Sequence, residues 1–107
     1  MNDLAHLHCK PLEGHPAMTT PEIEKHLSLV RGWALAHGAI EKRYGFHNFH
    51  ETMAFVNALA WIAHAEDHHP DLAVSCAACT VRFNTHSVDG ISINDFICAA
   101  KLDALFA

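Results

Sequence analysis

Glu66-Asp67-His68-His69-Pro70, read together with Thr85-His86, holds the residues best suited to chemistry. Two adjacent histidines stand where a long apolar segment stops, and Pro70 enforces that stop. Proline cannot continue a helical hydrogen-bond ladder, and it drives the preceding residue out of helical geometry. His68 and His69 are therefore expected on a sharp helix-to-strand corner. His86 closes the next strand-like segment, which can return to the same corner. Three converging imidazoles would make a proton-transfer site near neutral pH, because unperturbed histidine titrates near ~6.5. The competing reading is a polar corner with three surface histidines in a chain of eleven, and spacing alone does not separate the two.

Metal binding is the other use of such residues. His64 and His68 have the i, i+4 spacing that chelates zinc on a helix, but Glu66 is misplaced for an H-E-x-x-H motif. Cys76-Ala77-Ala78-Cys79 matches C-x-x-C. Its flanks, Leu72-Ala73-Val74 and Thr80-Val81-Arg82-Phe83, read as strand and not as the helix N-terminus that activates a thiolate. No second C-x-x-C completes a zinc site. His6, His8 and Cys9 could take an adventitious ion, yet they read more simply as a polar arm. The chain is expected to work without a metal.

Positioning these residues falls to five elements or pairs. Residues 1–19 have no period and predict an irregular N-terminal arm; residues 20–107 predict a single domain. Thr20-Pro21-Glu22 gives a helix start, with a capping hydroxyl, an early proline and a first-turn acid. Ile23, Leu27 and Val30 share its stripe, and Gly32 predicts its end. Trp33 to Ala36 and Ile40 to Phe46 predict two strands around His37-Gly38-Ala39. Trp33 reads as a core anchor or as a wall for a flat ligand.

The next helix is capped by Asn48, with Glu51 reaching back in a capping box. Phe49, Met53, Val56, Ala60 and Ala63 form one stripe, widened by Phe55, Leu59 and Ile62 to about half the circumference, more than an ordinary surface helix shows. That width predicts a second burial surface, another subunit. Leu72 to Ser75 and Cys79 to His86 predict two more strands, the latter with period-2 alternation. Asp89-Gly90 marks a turn; Ser92 and Asp95 then cap a last helix packed through Ile93, Phe96, Ile97 and Ala100. The order predicts a two-layer α+β domain, a four-stranded antiparallel sheet with helices packed on one face.

With 107 residues, half of them hydrophobic and 18% charged, the chain suits one globular domain. No apolar run reaches the ~20 residues of a membrane span, and no secretory signal opens the chain, so a cytoplasmic location is expected. A net charge of −5, with seven Lys and Arg, argues against direct nucleic-acid binding.

Gly32-Trp33, the Phe46…Phe49 pair, Glu66-Asp67-His68-His69-Pro70-Asp71, Asn84-Thr85-His86, and Gly90-Ile91-Ser92…Asp95 before Ala99-Ala100 occur in the order of a known family. From residue 20 onward the chain resembles pterin-4a-carbinolamine dehydratases. The resemblance implies a saddle-shaped antiparallel sheet backed by helices, in homodimers or homotetramers. It implies a hydro-lyase (EC 4.2.1.96) that dehydrates the 4a-hydroxytetrahydropterin made by aromatic amino acid hydroxylases, supporting tetrahydropterin recycling. The pterin is the substrate, and no separate cofactor is implied. The family's three active-site histidines fall on His68, His69 and His86, and its acidic residue on Asp95. His68 and His69 are the expected proton carriers and His86 an orienter, with Asp95, Pro70 and Trp33 as candidate substrate-binding residues. Two departures stand out: His64 where many members carry a carboxylate, and Cys76 where some carry an aromatic. A non-enzymatic alternative is a dimerisation cofactor acting through the helical surface, as family members in animals do for a transcription factor.

Overall fold

A computed structural model describes residues 3–106, so the first two positions of the arm and Ala107 lie outside the described residues. Within them the order is α1 (Thr20–Leu27), β1 (Ala34–Ala36), β2 (Ala39–Gly45), α2 (Phe49–Glu66), β3 (Asp71–Ser75), β4 (Ala78–Phe83) and α3 (Ile93–Ala104). The four strands form one antiparallel sheet in the order β1-β2-β4-β3, and the three helices pack on one of its faces. This is the α+β architecture that the sequence implies.

Register explains why one face is covered and the other is open. Ile40 pairs with Phe83, Lys42 with Val81 and Tyr44 with Cys79, which aligns the apolar side chains beneath the helices. Their neighbours Glu41 and Arg82 form an ion pair on the opposite face, where no helix lies. Against the covered face sit Phe96, Leu102, Leu59 and Phe55, all buried.

Several boundaries differ from the sequence reading. The cap of α1 is Thr19, not Thr20: its hydroxyl accepts from Glu22 N–H while Glu22 accepts from Thr19 N–H, a closed capping box. That helix ends at Leu27, well before Gly32, and Val30 is buried from a turn instead. Asn48 does cap α2, but Glu51 reaches one residue further back and accepts from His47 N–H, so no capping box forms.

The inward stripe of α2 is also different. Thr52, Phe55, Leu59 and Ala63 are its buried residues, whereas Phe49 is 53% exposed. Phe55 and Leu59, expected on a partner-facing arc, belong to the core of the single chain. Thr52 tolerates full burial because its hydroxyl donates to Asn48 O and Cys76 O.

Candidate active site

The site is assembled at the C-terminal end of α2. Asp67 adopts a left-handed conformation (φ 50°), and the N–H of His68 bonds back to Ala63 O at 3.1 Å. This reverses the chain within one residue, so that Pro70 and β3 follow. The His68 side chain folds inward, with 12% exposure, and stacks on Phe83 of β4 at 5.8 Å between ring centres and 8° between planes. His69 remains exposed.

β4 ends at Phe83, so His86 is not a strand residue as expected. Thr85 N–H donates to Gly90 O and Gly90 N–H to Thr85 O, closing a loop in which residues 86–88 form a single 3₁₀ turn and Asp89 is left-handed. His86 is exposed on that loop. The corner and the loop face each other across a cleft of about 230 Å³ lined by Asp67, His68, His69, Thr85, His86 and Ser87. The structure thus gathers the three histidines around one hollow.

Behind His68 lies a closed polar network. Its Nε2 is 2.6 Å from Oδ1 of Asp95, a residue with no solvent exposure. Oδ2 of Asp95 accepts from the Thr85 hydroxyl at 2.8 Å and from Ser92 N–H at 2.9 Å. The Ser92 and Thr85 hydroxyls are 2.7 Å apart, and Ser92 Oγ also accepts from Asn94 N–H. Since the Thr85 proton goes to Asp95, the Ser92 hydroxyl is the donor in that pair. Asp95 therefore caps α3, as its place in the chain implies, and also holds His68. No buried side-chain nitrogen or oxygen among the described residues lacks a partner.

The three candidate substrate-binding residues all stand off the lining of the histidine cleft. Asp95 stands behind His68 with both oxygens taken by protein donors, so it can act on a substrate only through that ring. Trp33 is 5% exposed, packs against Tyr44 and Phe83, and donates its indole N–H to Asp103. It is a core anchor, outside the cleft. Pro70 is half-buried at the corner and does not line the hollow.

The sequence reading put Glu66 and Thr85 in its motifs and Ser92 at a helix start, but gave none of the three a partner in the site. Glu66 accepts from Cys9 N–H at 2.7 Å and from His8, and Lys101 lies 3.7 Å away. Burial pushes this carboxyl up, but the Cys9, His8 and Lys101 contacts outweigh it and leave it below its ordinary range. His64, the departure from the usual carboxylate, is exposed beside Trp61. Among the described residues no three His, Cys, Asp or Glu side chains are grouped to hold a metal ion.

Known proteins match this chain in sequence and in fold. A family profile described as "Pterin 4 alpha carbinolamine dehydratase" matches residues 16–105. A Nitrosospira multiformis protein named "Putative pterin-4-alpha-carbinolamine dehydratase" is 49% identical over 99% of this chain and 95% of its own length. A Nitrosomonas europaea protein of the same name is 51% identical over 97% of this chain and 94% of its own. The solved structure of a transcriptional coactivator/pterin dehydratase from Brucella melitensis aligns with a TM-score of 0.81 at 27% identity, covering 85% of this chain and 99% of that one. A pterin dehydratase-like RuBisCO assembly factor of the α-carboxysome shares the fold, with a TM-score of 0.60 at 22% identity over 70% of this chain and 89% of that one.

Proposed function

This chain belongs to the pterin-4a-carbinolamine dehydratase family, and from that premise we propose that it dehydrates a 4a-hydroxytetrahydropterin to quinonoid dihydropterin and water, with His68 and His69 as the proton carriers. The C4a–O bond breaks as the hydroxyl leaves with a proton from an acid. A base takes the N5 proton, and the freed electron pair closes the C4a–N5 double bond. The step is neither oxidation nor reduction, so it calls for no redox cofactor. An aromatic amino acid hydroxylase is the class of enzyme that supplies such a substrate.

The observation that carries this reading is the contact between His68 and Asp95. A carboxylate can only accept, so the 2.6 Å contact places the His68 proton on Nε2 and leaves Nδ1 as the nitrogen with a lone pair. Asp95 is a positioning residue, held in turn by Thr85 and Ser92. His69 and His86 line the same cleft with no side-chain hydrogen bond to a described residue, which leaves both free to meet a substrate. We assign His69 as the partner of His68 in proton transfer and His86 as a binder that orients the ring.

The test is turnover of a freshly generated carbinolamine, with its unaided dehydration subtracted. His68→Ala and His69→Ala should each lower kcat by ~10²-fold or more, the usual worth of a positioned acid or base. The double variant should fall less than the product of the singles, because residues acting as a unit are not additive. His86→Ala should raise KM at least as much as it lowers kcat. Full activity in both single variants at 68 and 69 would defeat the assignment.

A second reading is a protein-binding module that acts through the helical surface. Trp61 on α2 favours it, being 73% exposed on a helix whose other large apolar residues are mostly covered. Recovery of a stable hetero-complex from its own cell, with no carbinolamine turnover, would select this reading instead.

A further inference from the structure

The two sulfurs that meet in this chain are not those of the C-x-x-C motif. Cys76 is exposed in the turn between β3 and β4, and Cys79 is buried within β4. Instead, Sγ of Cys9 lies 3.6 Å from Sγ of Cys98, 89 positions further on, and both thiols are free. Cys98 is fully buried in α3, whereas Cys9 is half-buried on the N-terminal arm.

Specific contacts bring Cys9 to that place. Its N–H is held by Glu66 at the end of α2. Asn94 brackets the next residue, its Oδ1 accepting from Lys10 N–H at 3.3 Å and its Nδ2 donating to Lys10 O at 2.8 Å. Lys101 donates to Ala5 O at 2.8 Å, and Leu4 and Leu12 are buried on either side. The protons on the two sulfurs are ordered as well. Asn94 O can only accept, so the Cys9 thiol donates to it at 3.5 Å and the Cys98 thiol is the donor between the sulfurs. That bond, together with burial, pushes the Cys98 thiol up. Cys9, nearer to solvent, is therefore the sulfur that a small oxidant meets first.

We infer that Cys9 and Cys98 are a modification site: a hydroperoxide converts the pair into a disulfide that fastens the arm to α3, and a thiol reductant releases it. The Cys9 thiolate attacks the peroxide, the O–O bond breaks, and the departing oxygen takes up a proton and leaves as water or an alcohol. Cys9 is then a sulfenic acid. The Cys98 sulfur attacks it, the S–O bond breaks, and the hydroxyl leaves as water with the Cys98 proton. The two thiols lose two electrons in all, and the peroxide gains them. Since bonded sulfurs lie ~2.05 Å apart, the pair must close by about 1.5 Å. Cys9 belongs to no helix or strand, so the arm can yield by that much while α3 stays in place.

Peroxide treatment of the reduced, full-length chain tests the inference, followed by alkylation in denaturant and peptide mapping. The monomer should lose two hydrogen atoms in its intact mass, and a peptide linking Cys9 to Cys98 should be the principal disulfide, absent after dithiothreitol. The oxidised chain should melt on the order of 10 °C higher than the reduced one, since the bond closes a long loop. Cys9→Ser, at a half-buried position, should fold and show neither the linked peptide nor the rise when treated in the same way. In Cys98→Ala, Cys9 should halt at the sulfenic acid and be trapped by dimedone. Recovery of Cys9 and Cys98 as alkylated thiols overturns the inference. So does a disulfide that joins either one to Cys76 or Cys79, or a Cys9–Cys98 bond that leaves the melting temperature unchanged.

Discussion

Nε2 of the partly exposed His68 ring lies 2.6 Å from Oδ1 of Asp95, which has no solvent exposure, and that contact sets which ring nitrogen can accept a proton. Asp95→Asn probes it with little change of shape. Thr85 and Ser92 both donate to the position of Oδ2, so the amide oxygen must take that place. The amide NH₂ then faces His68 and forces Nε2 to become the acceptor, which moves the ring proton to Nδ1. Turnover should fall on the order of 10²-fold, and the ¹⁵N shifts of the His68 ring should report the exchanged tautomer. An exchanged tautomer with undiminished turnover would remove His68 Nδ1 from the mechanism. The place of the two histidines, on a corner before a proline, was legible in the sequence, whereas their use was not: spacing alone left a polar surface corner as good a reading, and the family resemblance favoured a proton-transfer site. From its local pattern Asp95 was legible as a cap, to which the family resemblance added an acidic site residue; nothing local says that a histidine 27 positions earlier returns to it. Thr85 and Ser92 were hidden for the same reason, since their partners are set by how the loop closes on α3.

At the level of elements, α2 shows where pattern reading fails. Phe49, Met53, Val56 and Ala60 keep 3–4 spacing as well as Thr52, Phe55, Leu59 and Ala63 do, and the helix interior carries no charged residue to mark the outer face. Periodicity alone could not choose between two such faces; packing against β4 and α3 chose the one containing Thr52. Leu59→Ala should therefore cost ~2–5 kcal/mol in urea unfolding, as buried leucines do. Phe49→Ala should stay within ~0.5 kcal/mol, as surface changes do. Comparable losses would show that both faces are buried. The arm was illegible for a different reason: single anchors such as Leu4 and Leu12 leave no period, and its hydrogen bonds join residues far apart in sequence. Glu66 makes its seating depend on pH. Its carboxyl is held below the ordinary 4.5, so the stabilisation is present above that value and is lost as pH falls through the lower folded value. Hydrogen-exchange protection of the Cys9 amide should hold at pH 6 and collapse only under acid conditions below about 4.5. Glu66→Gln should weaken that protection already at neutral pH. Protection that survives acidification would mean that Asn94 and Leu12 suffice to hold the arm.

Considered whole, the molecule has one covered sheet face, one polar face and two free edges, and the α+β layout was legible because strand and helix patterns alternate with short links. Assembly was an expectation drawn from the family resemblance and from a surplus of apolar surface, and the structure moves that surplus. Phe55 and Leu59 are spent inside the chain, while Trp61 is 73% exposed, and Leu72 and Val74 on the edge strand β3 are 39% and 43% exposed. We predict a homodimer or homotetramer in which Trp61 is covered. In a two-fold interface each substitution acts twice, because the same patch is contributed by both copies. Removing one buried large apolar side chain loses ~1.5–3 kcal/mol, so Trp61→Glu should weaken a dimer by ~3–6 kcal/mol, a change of at least a hundredfold in dissociation constant. Introducing like charges at the contact adds to that loss. Because Trp61 contributes little to the core, the variant should keep the wild-type circular dichroism and melt as a folded monomer. Sedimentation equilibrium on both chains decides the matter. A wild type that sediments as a monomer at high concentration, or a Trp61→Glu variant that associates as tightly as the parent, would show that this face of α2 is not the seam.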